Sequence, residues 1–120
     1  MTRGPGKKGP DTALLALFAT EIATHMQPLG AWLKRGFVHD GEGVPAELLR
    51  ALHSINGAAR VMDAQGLAEL AGSVESCLKQ WATLTPQQAQ VIFVQAADVH
   101  AYLQRLASAP APADFLELSA

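Results

Sequence analysis

The stretch PAELLRALHSINGAARVM, residues 45–62, has an apolar residue at every third or fourth position. These apolar residues are Leu48, Leu52, Ile55, Ala59 and Met62. The spacing predicts an amphipathic helix of about five turns, because 3.6 residues per turn bring such positions onto one face. Proline suits a first helical position, so we expect the helix to begin at Pro45. We expect it to end near Asp63, with Gly66 as the flexible exit residue.

An earlier helix is predicted over about residues 12–35, where apolar residues again recur at three- and four-residue steps. Its apolar face comprises Leu14, Leu15, Phe18, Ile22, His25, Met26, Leu29, Trp32 and Leu33. Pro28 lacks a backbone donor, so we expect a bend or break near residues 24–28. Residues 36–44 contain three glycines and are predicted to form a loop before the second helix.

Two more helices follow residue 66. The third carries one apolar face with Leu67, Leu70, Ala71, Val74, Leu78 and Trp81. Thr85, Pro86 and Gln88 supply an N-cap, a first-turn proline and a capping-box partner, which predicts the start of a fourth helix. Its apolar positions are Ile92, Ala96, Val99, Leu103 and Leu106. Four amphipathic helices with mostly short connections predict an all-α, antiparallel up-down four-helix bundle.

The composition agrees with a single helical domain. The 120 residues are 49% hydrophobic and 17% charged, which is enough apolar content for one core and too little charge for disorder. The chain has 22 Ala and 16 Leu but only 7 Val and 3 Ile, and this composition favours helices over strands. A lone cysteine, Cys77, excludes an internal disulfide.

The two ends of the chain differ from its centre. Residues 1–10 hold three basic residues among glycines and prolines and are predicted to be a disordered arm. The bundle is expected over residues 11–108, and residues 109–120 are expected to form a loose tail. Asp11 and Glu21 bound the first apolar run, which argues against a secretory signal. No run reaches the roughly 18 to 20 apolar residues of a membrane span, so we expect a cytoplasmic protein that does not bind membranes.

Charge and motif content exclude several function classes. The net charge is −2 and the body has no basic stripe, so we expect no nucleic-acid partner. No two histidines have the four-residue spacing of helical metal ligands, and Cys77 has no cysteine or histidine nearby, so we expect no metal site. No phosphate-binding loop is present, and Asp63, Glu69 and Glu75 are interpreted as solubilising charges on exposed faces.

His53 is the candidate functional residue. It follows Leu52 of the apolar stripe by one position, which places it about 100° around the helix, on a flank and not in the core. Asn56, Gly57 and Arg60 follow at three, four and seven residues and are expected to share this face. Glycine inside a helix costs about 1 kcal/mol relative to alanine. Gly57 therefore serves either the approach of a partner to the imidazole or the close packing of a second helix.

A family resemblance rests on three segments. The run LHSINGAAR at residues 52–60, followed by LAELA at 67–71 and Val-Glu at 74–75, resembles the histidine phosphotransfer (Hpt) domain of two-component phosphorelays. That family has His-x-x-Lys-Gly and a small residue on the second helix of a four-helix bundle. Its next helix reads Leu-x-x-Leu-Ala. The resemblance covers about residues 14–106.

The resemblance implies a phosphoryl carrier and not an enzyme with its own ATP site. His53 would be the phosphoacceptor, and Asn56, Gly57 and Arg60 would face the phosphoryl group or the partner. Ala58 would contribute to docking. The partners would be response-regulator receiver domains, a hybrid sensor histidine kinase, or both, and the chain would act as a monomer. No cofactor is expected in this chain, because the family's receivers bring the Mg²⁺ themselves.

One residue departs from the family pattern. Asn56 stands where the family usually has lysine, and an amide can donate a hydrogen bond to phosphoryl oxygen but brings no charge. Arg60 and the more remote Lys79 are the candidate substitutes. Two hypotheses follow: a phosphotransfer module, or a pseudo-phosphotransfer bundle that binds a receiver or other signalling protein without chemistry. An exposed His53 with open space beside Gly57 would favour the first, and a shielded ring the second. An unrelated helical scaffold is a third alternative.

Overall fold

A computed structural model describes residues 12–108, and this part of the chain has four α-helices, one 3₁₀ turn and no β-strand. The elements are α1 (Thr12–Lys34), α2 (Ala46–Val61), α3 (Gln65–Leu78), the 3₁₀ turn (Trp81–Thr83) and α4 (Pro86–Ser108). Each helix packs on its neighbours in the order α1, α2, α3, α4 and back to α1, so α2 and α4 lie on one diagonal of the bundle. The predicted four-helix bundle is confirmed. The predicted arm, 1–10, and the predicted tail, 109–120, lie outside the described residues.

The apolar stripes of the four helices meet in one core. All five stripe residues of α2 are buried, and so are all five of α4. Leu14 is an exception, because it is 46% exposed. Since α1 is about 10 Å longer than α2, its first turn extends past the end of that neighbour. Among the described residues no polar or charged side chain is buried, so polar chemistry is confined to the bundle surface. No helix in residues 12–108 is long and apolar enough to cross a bilayer.

Helix α1 continues without interruption through Pro28, so of the predicted bend or break the break does not occur. The buried side chains of Ile22 and Leu29 lie on either side of the proline region and anchor both halves of the helix in the same core. Proline removes one backbone hydrogen bond. The carbonyl that loses it belongs to Thr24, which is exposed to solvent. The burial of apolar side chains therefore outweighs the local cost of the proline.

The connection between α2 and α3 is shorter than expected. Gly66 was predicted as the exit residue of α2, but it lies inside α3. Asp63 makes the turn instead, with a left-handed φ of 62°. Its amide donates to the Arg60 carbonyl at 3.1 Å, and the Ala64 amide donates to the Ala59 carbonyl at 2.8 Å. This pair of bonds is a Schellman motif, and aspartate tolerates the left-handed conformation better than most residues.

The connection between α3 and α4 is built around Trp81. This residue was expected on the apolar face of α3, but it belongs to the separate 3₁₀ turn, where it is buried. Its indole Nε1 donates to the Val38 carbonyl at 3.3 Å, and His39 Nε2 contacts the Trp81 carbonyl at 2.9 Å. The predicted capping box of α4 is present, since the Thr85 and Gln88 side chains each bond the other's amide. The contacts of Trp81 with Val38 and His39 hold the α1–α2 loop against the α3–α4 connection at one end of the bundle.

Candidate functional site

His53 lies on the surface of α2 where that helix faces α3. Its side chain is 78% exposed, whereas the preceding Leu52 is fully buried. The one-residue offset from the core stripe therefore produces the flank position that was expected. The ring is not isolated, because its Nδ1 lies 3.4 Å from Oε2 of Glu75 on α3. The candidate site consists of the His53 imidazole, the Glu75 carboxylate and the solvent-exposed surface next to them.

Glu75 was interpreted as a solubilising charge, and the structure corrects this. Its side chain is only 12% exposed and lies between His53 and Lys79. The same oxygen, Oε2, is 3.4 Å from the His53 ring and 3.7 Å from Lys79 Nζ. The carboxylate therefore brings Lys79, the C-cap residue of α3, close to the histidine of α2. The Lys79 side chain is 60% exposed, so its ammonium group is held at the edge of the site and open to solvent.

The carboxylate also distinguishes the two ring nitrogens of His53. A negative oxygen beside Nδ1 favours the tautomer with the proton on that nitrogen. The lone pair is then on Nε2, which has no hydrogen-bond or ion-pair partner within residues 12–108. Because the ring is largely exposed, an incoming group can reach this nitrogen. The arrangement is suited to nucleophilic attack by Nε2.

The space beside Gly57 is open. A Cβ atom built on this glycine would meet no heavy atom within 4 Å beyond its two chain neighbours and the adjacent backbone of its own helix. The structure therefore excludes helix packing within residues 12–108 as the reason for the glycine. Ala58, the expected docking residue, is half-buried and packs partly against the core. The most exposed surface next to His53 is thus the backbone of Gly57, and the side chain of Ala58 is only partly exposed.

Asn56 does not share the open face as expected. Its Nδ2 donates to the Ala68 carbonyl of α3 at 2.5 Å, and its Oδ1 accepts a bond from Arg60 Nε at 3.1 Å. Three residues of helix correspond to about 60° of rotation from His53, and this rotation turns Asn56 toward α3. Gly72 makes room for it, since a Cβ there would lie 3.0 Å from Asn56 Nδ2. Both ends of the amide are occupied within the chain.

The sequence interpretation missed the roles of Glu75 and Gly72, whereas it named Lys79 as a remote candidate substitute for the family's lysine. A signal for Glu75 was present, because it follows Val74 of the α3 stripe by one position, as His53 follows Leu52 in α2. Two residues that each sit one step past a buried position lie on the flanks of their helices. Whether those flanks face each other depends on how α2 and α3 pack, which the spacing alone does not reveal. Gly72 had no such signal.

The remaining histidines and the cysteine lie elsewhere. His25 and His100 are half-buried on α1 and α4, and His39 is in the loop against Trp81. Cys77 is half-buried and packs against the core. Across the described part of the chain, no three histidine, cysteine or acidic side chains are grouped as metal ligands would be. His53 and its neighbours therefore form the candidate site.

Comparison with known proteins gives one match. A family model described as Hpt domain matches residues 13–115, which include every residue of the candidate site and all four helices except Thr12, the first residue of α1. No curated protein and no solved structure matches the chain significantly.

Proposed function

Because the chain belongs to the Hpt domain family, we propose that His53 carries a phosphoryl group between the aspartates of receiver domains. Hpt domains are phosphotransfer carriers of two-component phosphorelays, and they interact with receiver domains and kinases. The observation that carries the proposal is the 78% exposed imidazole of His53 with open space beside Gly57. A partner can approach this ring without any movement of the described side chains.

The transfer is a displacement at phosphorus. The Nε2 lone pair of His53 attacks the phosphorus atom of an aspartyl phosphate, the Nε2–P bond forms and the P–O bond to the aspartate breaks. The carboxylate leaves with the bonding electrons, and the reverse reaction delivers the group to a second receiver. The ring keeps its Nδ1 proton and gains positive charge, which the Glu75 carboxylate stabilises at 3.4 Å. Phosphoryl transfer depends mainly on such positioning and charge stabilisation.

Lys79 supplies the positive charge that Asn56 lacks. Its ammonium group contacts the same Glu75 oxygen as the His53 ring, so it lies at the edge of the site. The lysine side chain is mostly exposed and can turn from the carboxylate to a phosphoryl oxygen on Nε2. Lys79 would thus stabilise the phosphoryl group in place of residue 56. This substitution is needed because Asn56 is a neutral amide that already bonds Ala68 and Arg60.

The second candidate function is receiver binding without transfer. It is favoured by Asn56, because this residue is a neutral amide whose Nδ2 donates to Ala68 of α3 and whose Oδ1 accepts from Arg60, so the side chain is held toward α3 and brings no charge to a phosphoryl group. In this alternative, the exposed surface around His53 serves docking alone. Both functions predict receiver binding, and only the first predicts a covalent phosphohistidine.

The test compares two histidine variants. The wild-type chain, His53→Gln and His100→Gln are incubated with radiolabelled phosphorylated receiver domains. We expect label on the wild type and on His100→Gln, whose histidine is on the diagonally opposite helix, and at least about a hundredfold less on His53→Gln. Circular dichroism checks that all three chains are folded. Equal labelling of His53→Gln would refute the assignment, and receiver binding without any label would establish the second candidate function.

A further inference from the structure

Arg60 is an exposed cation whose side chain is fixed at one end. Its Nε donates to Asn56 Oδ1 at 3.1 Å, and Asn56 is itself held by the Ala68 carbonyl. Neither of the two ion pairs among residues 12–108 involves Arg60. A guanidinium has donors on three nitrogens, so the two terminal nitrogens keep theirs for a partner. We call this pair of residues the Asn56–Arg60 bracket.

The bracket lies within reach of any protein that contacts His53. Arg60 follows His53 by seven residues, which is about 10.5 Å along the helix and about 20° around it. A stable protein interface buries about 800 Å² on each partner, a patch of roughly 16 Å radius. A receiver centred on His53 therefore covers Arg60. Val61, which follows it, is 81% exposed and provides apolar surface at the same end of α2.

A fixed arginine is more selective than a mobile one. An arginine that is already positioned loses less conformational freedom when it meets an acceptor, so a matching partner gains more affinity. A cation opposite it would be left unpaired or repelled, which disfavours the wrong partner. Asp63 and Glu69 line the same shallow pocket as Arg60 without forming an ion pair with it. The guanidinium therefore remains open to an acceptor from outside the chain.

We propose that the Asn56–Arg60 bracket selects the receiver, favouring a domain that presents a carboxylate opposite the C-terminal half of α2. The proposal rests on the proposed function for the identity of the partner. Arg60 contacts the receiver, and Asn56 is a positioning residue that acts through Arg60. Asparagine at position 56 is thus not a weakened phosphate ligand. It places a fixed positive charge one turn further along the helix.

The first experiment measures receiver affinity. Purified receiver domains from the source genome, loaded with beryllofluoride as a mimic of aspartyl phosphate, are titrated calorimetrically into the wild type, Arg60→Ala and Arg60→Glu. The matched control is Arg105→Ala, an exposed arginine on the diagonally opposite helix. For the tightest receiver we expect Kd to rise about tenfold with Arg60→Ala and further with Arg60→Glu. With Arg105→Ala we expect a change of less than about twofold.

The second experiment tests the positioning role of Asn56. Asn56→Ala releases Arg60, so Kd should rise by less than with Arg60→Ala, and the double variant should be no weaker than Arg60→Ala alone. Labelling of His53 by phosphoramidate, a small donor that needs no docking surface, is measured for every variant, and the control Arg105→Ala should stay within about twofold of wild type. Thermal unfolding identifies any variant that is not folded. Additive losses in the double variant would overturn the positioning role.

The outcomes separate this proposal from phosphotransfer. An unchanged Kd for every receiver with Arg60→Glu, or an equal rise with Arg105→Ala, overturns the selection by Arg60 and leaves phosphotransfer intact. Receiver binding that depends on Arg60, without any label on the wild type from a phosphorylated receiver, supports selection and refutes phosphotransfer. Failure of every receiver to bind the wild type overturns both.

Discussion

Two histidines of this bundle lie beside a helical glycine, and their surroundings are opposite. A Cβ on Gly30 of α1 would lie 2.9 Å from Nε2 of His100, whose half-buried ring fills the space that the glycine leaves. A Cβ on Gly57 would meet nothing within 4 Å, and the neighbouring His53 is largely exposed. The first glycine is explained inside the chain. The second has no such explanation, so we attribute it to a partner.

The largest expected effect comes from filling the open space. In Gly57→Phe, transfer from a phosphorylated receiver should fall at least about thirtyfold, or about 2 kcal/mol, because the added ring blocks the approach to His53. Ala101→Phe, on the exposed surface of α4, is the control and should change the rate less than about twofold. Receiver-dependent kcat/KM values measure both. A wild-type rate in Gly57→Phe would show that the space is not used.

The Glu75 contact should have the next largest effect. Glu75→Gln removes the charge that favours the Nδ1 proton and stabilises the ring as Nε2 attacks. We expect phosphoramidate labelling of His53 to slow about tenfold, which corresponds to about 1.4 kcal/mol. Glu69→Gln on the same helix is the control, because this exposed residue does not contact His53. Equal rates for the two variants would contradict an electrostatic role of Glu75.

The two glycines can be compared through the free energy of unfolding of their alanine variants. Alanine in a helix is up to about 1 kcal/mol more stable than glycine, and Gly57→Ala should gain most of this because its methyl group meets no neighbour. Gly30→Ala must displace the His100 ring, so it should be about 1 kcal/mol less stable than Gly57→Ala. Urea unfolding of both variants and the wild type measures the difference. Equal stabilities would mean that His100 moves freely.

The smallest expected effect is on stability, at Asp63, whose left-handed backbone conformation would favour glycine. Asp63 has a left-handed φ of 62°, whereas Gly57 lies inside α2 with no positive φ. Asp63→Gly should therefore stabilise the chain by about 0.5 kcal/mol, since relief of the left-handed cost exceeds the added flexibility of the unfolded state. Thermal unfolding would detect the gain. A loss of stability would show that the Asp63 side chain contributes more than its backbone costs.

Helix periodicity and capping chemistry predicted most of the fold. The buried faces of α2 and α4 and the Thr85–Gln88 capping box depend on residues close together in the chain, so local rules describe them. The structure departs from the predictions at two places, through core packing in α1 and through local turn chemistry after α2. Core contacts on both sides of Pro28 keep α1 continuous, and the turn after α2 uses Asp63 in place of Gly66.

The candidate site was predictable only in part. The exposure of His53 follows from its offset to Leu52, which is a property of one helix. The identity of the neighbouring residues could not be predicted from one helix, because Glu75 and Ala68 belong to α3. They reach α2 only through the packing of the two helices. Asn56 lies about 60° from His53 in one direction around the helix, and it turns to α3. Gly57 lies about 40° from His53 in the other direction, and it faces open space. Spacing alone placed both on one face.

The sequence by itself determined a four-helix bundle with one histidine on a flank and the Hpt resemblance. It could do so because helix formation, core burial and capping depend on periodicity and on neighbours in the chain. Only the tertiary structure decided that Glu75 joins His53 to Lys79, that Asn56 holds Arg60, and that the space beside Gly57 is empty. These features depend on the rotation and separation of packed helices, and a change of a few ångströms there would remove them.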